Sequence, residues 1–262
     1  MRVNAWVGAG PGVLWALSGV LGADLQYGHE RTLFAVGEHR AFVILPRAAA
    51  TDAPRRPWAW YAPTFINGYP NPSNEWLFRR LLVDGWVVAG IDVGESYGSP
   101  AGRAAYTRFY QQVVPEYRLA AKSCLVAQSR GGLMLYNWAV ENPEKVKCIA
   151  AIYAVCDLRS FPGLRQAAPA YGLDETSLAA HLSEHNPIDR LEPLAKAGVP
   201  IFHIHGDSDA VVPLDRNSQV LCDRYRALGG RAALVVVPGK GHAEVPEFFQ
   251  SQTMLAFLLG NR

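Results

Sequence analysis

The feature that most limits the fold of this chain is an alternation. Apolar runs rich in β-branched and aromatic residues lie at Trp58–Phe65, Trp86–Val93, Cys124–Ser129, Cys148–Val155, Val199–Gly206 and Ala232–Gly239. Stretches with helical spacing lie between or after them: Asn74–Gly85, Ala104–Ala121 with a break near Pro115, Arg130–Val146, Leu214–Gly230 and Glu247–Gly260. A strand sends successive side chains to opposite faces, so an unbroken apolar run must be covered on both. The pattern therefore predicts an α/β fold, a mainly parallel sheet with helices on both faces. Ahead of it, Arg31–Pro46 reads as an antiparallel hairpin turning at Gly37-Glu38, which adds edge strands.

The 262 residues, half of them apolar, suit one domain over 24–262, with a small insertion at about 156–198 that carries a short helix near Glu175–Ser183. Arg47–Pro57 is a polar, proline-containing connection too short to separate domains. Net charge is +2 and the basic residues are scattered, so no nucleic-acid partner is expected. Cys124, Cys148 and Cys156 sit in or beside apolar runs and, with Cys222, form no CxxC pair; they read as buried thiols rather than a disulfide framework. Residues 1–23 have an early Arg, an apolar run from Val13 to Leu21 and small residues at Gly22 and Ala23. That pattern is one of a cleaved signal peptide, the alternative being an N-terminal segment packed on the domain. A secreted or periplasmic location is favoured over a cytoplasmic one, although unpaired cysteines count against it. Pro11 and the glycines argue against a membrane span.

In open α/β sheets, sites form outside the carboxyl ends of the strands. Three such ends carry chemistry. "AQSRGG" sets Ser129 between strand and helix, in the small-x-Ser-x-Gly setting of a nucleophile elbow, with Ala127 at the first small position. His242 follows the last strand on a glycine-rich loop, and Asp209 lies just past the Val199–Gly206 strand. A serine hydroxyl needs a base and the base an orienting acid, so Ser129, His242 and Asp209 form a candidate triad. "HIHGDSDAVVP" admits a second reading, because His203, His205, Asp207 and Asp209 could share a strand face around a metal. Ser208 stands where a third histidine ligand belongs, and no further cluster at ligand spacing occurs, so no metal or other cofactor is expected. On the triad reading Asp207 closes the turn and the two histidines are core residues. The oxyanion donors are then the backbone N–H of Arg130 and, by position in "PTFINGYPN", that of Phe65.

The order Ser, Asp, His in these settings resembles the α/β-hydrolase superfamily from about Arg31 onward. "NPIDRLEPLAKAGVPIFHIHGDSDAVVP" is similar to the C-terminal halves of prolyl-oligopeptidase-like hydrolases and carbohydrate esterases. "PWAW", "YGSP", "SRGGL" and "CDLRSFPG" resemble a group of often exported bacterial hydrolases. The resemblance implies an α/β-hydrolase fold and a serine carboxylic-ester hydrolase forming an acyl-enzyme, with a small-molecule or saccharide ester as its partner. The alternatives are a prolyl-oligopeptidase-like peptidase, disfavoured because such enzymes carry a gating propeller for which this chain has no room, and a non-catalytic binding module. The small insertion predicts an open site. Aromatics near strand ends suit sugar rings, so Trp60 and Tyr97 are candidate substrate contacts. Glu95, on a neighbouring strand-end loop, is a third; Arg130 can serve an anionic group or pair with a carboxylate.

Overall fold

A computed structural model describes residues 20–47 and 55–262. Most of the expected leader, through residue 19, and most of the Arg47–Pro57 connection lie outside them. Among the described residues, nine strands form one sheet: β1 (Val20–Gln26), β2 (His29–Val36), β3 (His39–Ile44), β4 (Trp58–Ala62), β5 (Val87–Ile91), β6 (Ser123–Gln128), β7 (Val146–Ile152), β8 (Ile201–Gly206) and β9 (Ala232–Val237). Their spatial order is β1-β2-β3-β5-β4-β6-β7-β8-β9. β1 to β3 and the β3–β5 pair are antiparallel; every pairing from β5 across to β9 is parallel. The β2–β3 hairpin turns at Gly37-Glu38 as expected, but β1 extends it, taking in Val20–Ala23 from the end of the expected leader.

The helices are α1 (Glu75–Val83), α2 (Pro100–Glu116), α3 (Gly131–Glu141), α4 (Leu164–Ala167), α5 (Glu175–Ala180), α6 (Leu182–His185), α7 (Glu192–Lys196), α8 (Ser218–Ala227), α9 (Pro246–Phe249) and α10 (Gln252–Gly260). α1 shows why they form. Leu77, Phe78, Leu81 and Leu82 share one face and are all buried, while Arg79 and Arg80 point out. Burying each such side chain contributes roughly 1.5–3 kcal/mol, more than the intrinsic helix propensity of any residue in it. α2 begins earlier than Ala104 because Ser99 caps it, accepting from the Gly102 N–H at 3.4 Å, with Pro100 in the first turn. Pro115 falls in its last turn and does not break it.

The sheet separates two cores, and strand periodicity assigns residues to them. On β4, Trp58, Trp60 and Ala62 face α2 and α3, whereas Ala59 and Tyr61 face α1, α9 and α10. On β6, Leu125 and Ala127 face the first core, and Cys124 and Val126 the second. α4 to α6 lie in the insertion, with a smaller cluster of their own around Tyr97, Leu133, Val155, Leu158, Leu178 and Val212. All four cysteines are buried and unpaired. Among the described residues, no helix is long and apolar enough to cross a membrane.

Candidate active site

The carboxyl ends of β6, β7, β8 and β9 bring the site together. Ser129 follows β6 directly and adopts φ +49, a conformation that L-residues rarely take. The turn tips its hydroxyl out of the sheet before α3 begins. The approach of α3 to the neighbouring strand is very close: a Cβ on Gly131 would lie 2.0 Å from the Ala62 carbonyl oxygen. Only glycine fits there. Ala127 is fully buried and faces Ala62 of β4 and Ala151 of β7 across the ladder, so a methyl suffices at the position where the motif usually has glycine.

β8 and β9 supply the rest. Gly206 ends β8 so close to the following loop that a Cβ would lie 2.0 Å from the Lys240 carbonyl oxygen, and this contact holds the two loops together. Across it Asp209 Oδ2 accepts from His242 Nδ1 at 2.7 Å. His242 Nε2 then lies 2.9 Å from Ser129 Oγ. With Nδ1–H committed to the carboxylate, Nε2 carries the lone pair and accepts the serine proton. Asp209 Oδ1 accepts from the N–H groups of Val211 and Val212 at 3.0 and 2.8 Å. Burial alone pushes the Asp209 carboxyl up, but the N–H groups of His205, His242 and Val212 outweigh it and hold it well below the usual carboxylate range. Asp207 points elsewhere: its Oδ1 accepts from the Gly239 N–H at 2.7 Å and from Ser208 Oγ at 2.9 Å, which closes the turn against β9.

His203 and His205 are fully buried on β8, and side chains and a carbonyl take up their ring nitrogens. His203 Nε2 meets Tyr136 Oη at 2.7 Å and its Nδ1 meets Ser218 Oγ at 2.8 Å. His205 Nδ1 meets the same Ser218 Oγ at 2.7 Å, while its Nε2 meets the Val212 carbonyl oxygen at 2.8 Å and Asp209 Oδ2 at 3.3 Å. Among the described residues no three His, Cys, Asp or Glu side chains cluster as metal ligands.

Ser129 and His242 open into a cavity of about 200 Å³ lined also by Pro63, Phe65, Tyr69, Gln128, Arg130, Tyr153 and Glu244. A larger groove of about 880 Å³ between α1 and α9–α10 adjoins it, with Glu244 lining both. Its walls hold neither Ser129 nor His242, so the smaller cavity is where chemistry can occur. Several candidate residues sit differently from expectation. Trp60 is fully buried: it packs on Tyr106, Phe109 and Trp138, because even-numbered residues of β4 face α2 and α3. Tyr97 is buried under the insertion, where its carbonyl accepts from Tyr171 Oη at 2.7 Å. Neither lines the cavity that Ser129 and His242 open into, contrary to the expected substrate contacts. Glu95 pairs with the Arg130 guanidinium, which lies at the cavity edge between the Phe65 and Phe161 rings, 5.9 and 5.8 Å from their centroids. The Arg130 N–H stands at the start of α3, where the first helical N–H groups lack intrahelical partners. The Phe65 N–H, expected as the second oxyanion donor, instead donates to the Tyr69 carbonyl at 3.0 Å in a tight turn, so it serves only if that turn opens.

Two residues that the sequence did not single out shape the site. Tyr153 directly follows β7 at φ +34, with its ring 4.3 Å from the His242 ring and its hydroxyl 3.2 Å from Gln128 Nε2. Its place at the end of an apolar run was the available signal. Glu244, two residues past His242, accepts from Tyr69 Oη, Asn71 Nδ2 and Ser73 Oγ at 2.7–2.9 Å and ties the loop after β4 to the loop after β9. Burial pushes its carboxyl up, but these donors prevail and lower it.

The same architecture recurs in solved structures at low identity. S-formylglutathione hydrolase from Agrobacterium tumefaciens superposes with TM-score 0.70 at 16% identity, over 92% of this chain and 98% of that one. A truncated carbohydrate esterase from gut microbiota gives 0.63 at 18%, over 84% and 90%. Porphyromonas gingivalis dipeptidyl peptidase 4 gives 0.67 at 14%, over 88% of this chain but 34% of that one, so the chain spans about a third of the peptidase. These likenesses establish the α/β-hydrolase fold. No curated protein matches the chain in sequence. The sequence profile of the prolyl oligopeptidase family does match, over residues 115–260, a span that holds Ser129, Asp209 and His242. On that match, over more than half its length, the chain belongs to the prolyl oligopeptidase family.

Proposed function

We propose that the protein is a serine hydrolase that cleaves acyl bonds through an acyl-enzyme on Ser129. The observation that carries this reading is the unbroken line of hydrogen bonds from Ser129 Oγ through His242 to Asp209 at the strand ends. In the first step Ser129 Oγ bonds to the substrate carbonyl carbon as its proton passes to His242 Nε2. The imidazolium formed is stabilised by Asp209, which stays ionised. The Arg130 N–H faces the negative oxygen of the tetrahedral intermediate. His242 returns the proton to the leaving nitrogen or oxygen as that bond breaks. Water, deprotonated by the same imidazole, then frees the acyl group from Ser129.

Family membership favours a peptide amide as the bond cleaved. An ester, including the saccharide ester expected from the sequence, is the second reading. It is supported by the likeness to a carbohydrate esterase that is covered over 90% of its length. Export belongs to the same proposal, and cell fractionation tests it. A fluorophosphonate probe, followed by peptide mapping, tests the reaction class: the adduct is expected on Ser129 and absent from Ser129→Ala. An adduct on another residue, or a Ser129→Ala variant with wild-type turnover, overturns it. Paired aminoacyl p-nitroanilides and p-nitrophenyl esters of the same acyl group then decide between amide and ester.

A further inference from the structure

A second line of hydrogen bonds reaches Asp209 from behind, at a 3.3 Å contact between His205 Nε2 and Asp209 Oδ2. Tyr136 on α3, His203 and His205 on β8 and Ser218 at the start of α8 form it through fully buried side chains. The proton positions along it are fixed from both ends. Burial pushes the Tyr136 hydroxyl far up, so it keeps its proton, and His203 Nε2 is its one hydrogen-bond partner among the described residues. Tyr136 therefore donates, and His203 Nε2 accepts. Burial likewise holds His203 down at about 3, so it is neutral near pH 7 and its proton is on Nδ1, facing Ser218 Oγ. Ser218 accepts that proton's hydrogen bond and turns its own toward His205 Nδ1. At the other end a carbonyl oxygen, that of Val212, lies 2.8 Å from His205 Nε2, and a carbonyl only accepts. His205 therefore carries its proton on Nε2, which also faces Asp209 Oδ2 at 3.3 Å. Every donor in the chain runs toward the Asp209 loop, ending at the Val212 carbonyl beside the carboxylate, and none is left without an acceptor.

We infer that His205 is a positioning residue for the acid Asp209: its Nε2–H, bonded to the Val212 carbonyl, also lies beside the carboxylate oxygen that receives His242, at 3.3 Å, and Tyr136, His203 and Ser218 act through it by fixing its tautomer. The inference rests on the serine-hydrolase reading of Ser129, His242 and Asp209. Its physical content is competition for one oxygen. Asp209 Oδ1 is held by two backbone N–H groups, and Oδ2 is shared by His205 and His242. The second donor limits how the carboxylate rotates and draws some of its charge away from the imidazole. Without it, Oδ2 serves His242 alone, the imidazolium is favoured, and the base needs a higher pH to lose its proton. The groups facing His242 are Asp209 from the loop after β8, Tyr153 from the end of β7, Tyr69 from the loop after β4, Glu244 from its own loop, and Ser129 and Arg130 at the start of α3. The substitutions below alter none of them.

The test compares His205→Phe, which keeps a planar ring but loses the donor, with His205→Gln, whose amide nitrogen can reach the position of Nε2–H. The full chain is assayed with a p-nitrophenyl ester or a p-nitroanilide, whichever the wild type cleaves, from pH 5 to 9. His205→Phe is expected to lower kcat tenfold or more with KM within twofold, and to move the acid limb of kcat/KM to higher pH. His205→Gln is expected to recover most of kcat and return the limb toward the wild-type position. Ser218→Ala, which removes one small hydroxyl and keeps the fold even if His205→Phe does not, is expected to shift the limb the same way by less. If the folded variants lose thermal stability while kcat and the acid limb stay at wild-type values, His205 is structural only and the inference fails. A wild type that neither reacts with a fluorophosphonate nor hydrolyses either substrate refutes the underlying hydrolase reading instead, and the two failures are thereby distinguished.

Discussion

Acid should destabilise this protein through His203 before it touches the carboxylates. The ring is fully buried on β8, and burial, aided by the nearby His205, lowers its pKa from 6.5 to about 3. In the unfolded chain it titrates near 6.5. Between those values the unfolded state binds a proton that the folded state does not, so stability rises with pH across the window. The stability is complete above the unfolded pKa and is lost progressively as pH falls toward about 3. At about 1.4 kcal/mol per unit, the full window amounts to about 5 kcal/mol, of which about 2 kcal/mol is lost between pH 7 and pH 5. That is a large share of the 5–15 kcal/mol typical of a domain. The assay is urea unfolding at pH 7, 6 and 5 on the wild type and on His203→Gln, which can still accept from Tyr136 but does not titrate. His29 and His185 are also lowered by burial and contribute to both proteins alike, so the difference between the two curves isolates His203. The wild type should lose about 2 kcal/mol more than the variant from pH 7 to pH 5. Parallel curves would show that the buried ring does not control this window and would refute the argument.

Other outcomes follow from the same geometry. Asp209→Asn should cut turnover by about 10³–10⁴-fold with the fold intact, because an amide there lets the imidazole take the wrong tautomer, whereas Asp207→Asn should mainly lower Tm; steady-state kinetics with thermal melts ranks them. Ala127→Val should depress activity by pressing on Ala62 and Ala151 and pushing α3 outward, at a stability cost of about 1–3 kcal/mol, while Ala127→Gly retains turnover. Trp60→Leu should leave KM within twofold and cost roughly 2–4 kcal/mol in denaturant unfolding, as expected of a core residue rather than a substrate platform.

The central sheet and the three strand ends that carry Ser129, Asp209 and His242 were legible in the amino-acid order alone. Parallel strands buried on both faces must be written as unbroken apolar runs, and the elbow needs small residues where backbones meet, so both are visible locally. β1 was not, because an edge strand such as Val20–Gln26, mostly exposed on both faces, needs neither an apolar run nor an alternation. Glu247–Gly260 read as one helix and is two, since Ser251 caps a fresh start at Gln252, its hydroxyl accepting from the Met254 N–H. The rest came from packing. Whether an aromatic at a strand end meets substrate or core depends on which face its residue takes, and that register sent Trp60 into the α2–α3 core. Whether the Phe65 N–H is free depends on a turn closed by the Tyr69 carbonyl. Glu244 finds its partners 171–175 residues away, and His205 finds Ser218 on another element. Local pattern records what each residue must be to fold; which distant groups share one oxygen is fixed only when the loops after β4, β8 and β9 pack together.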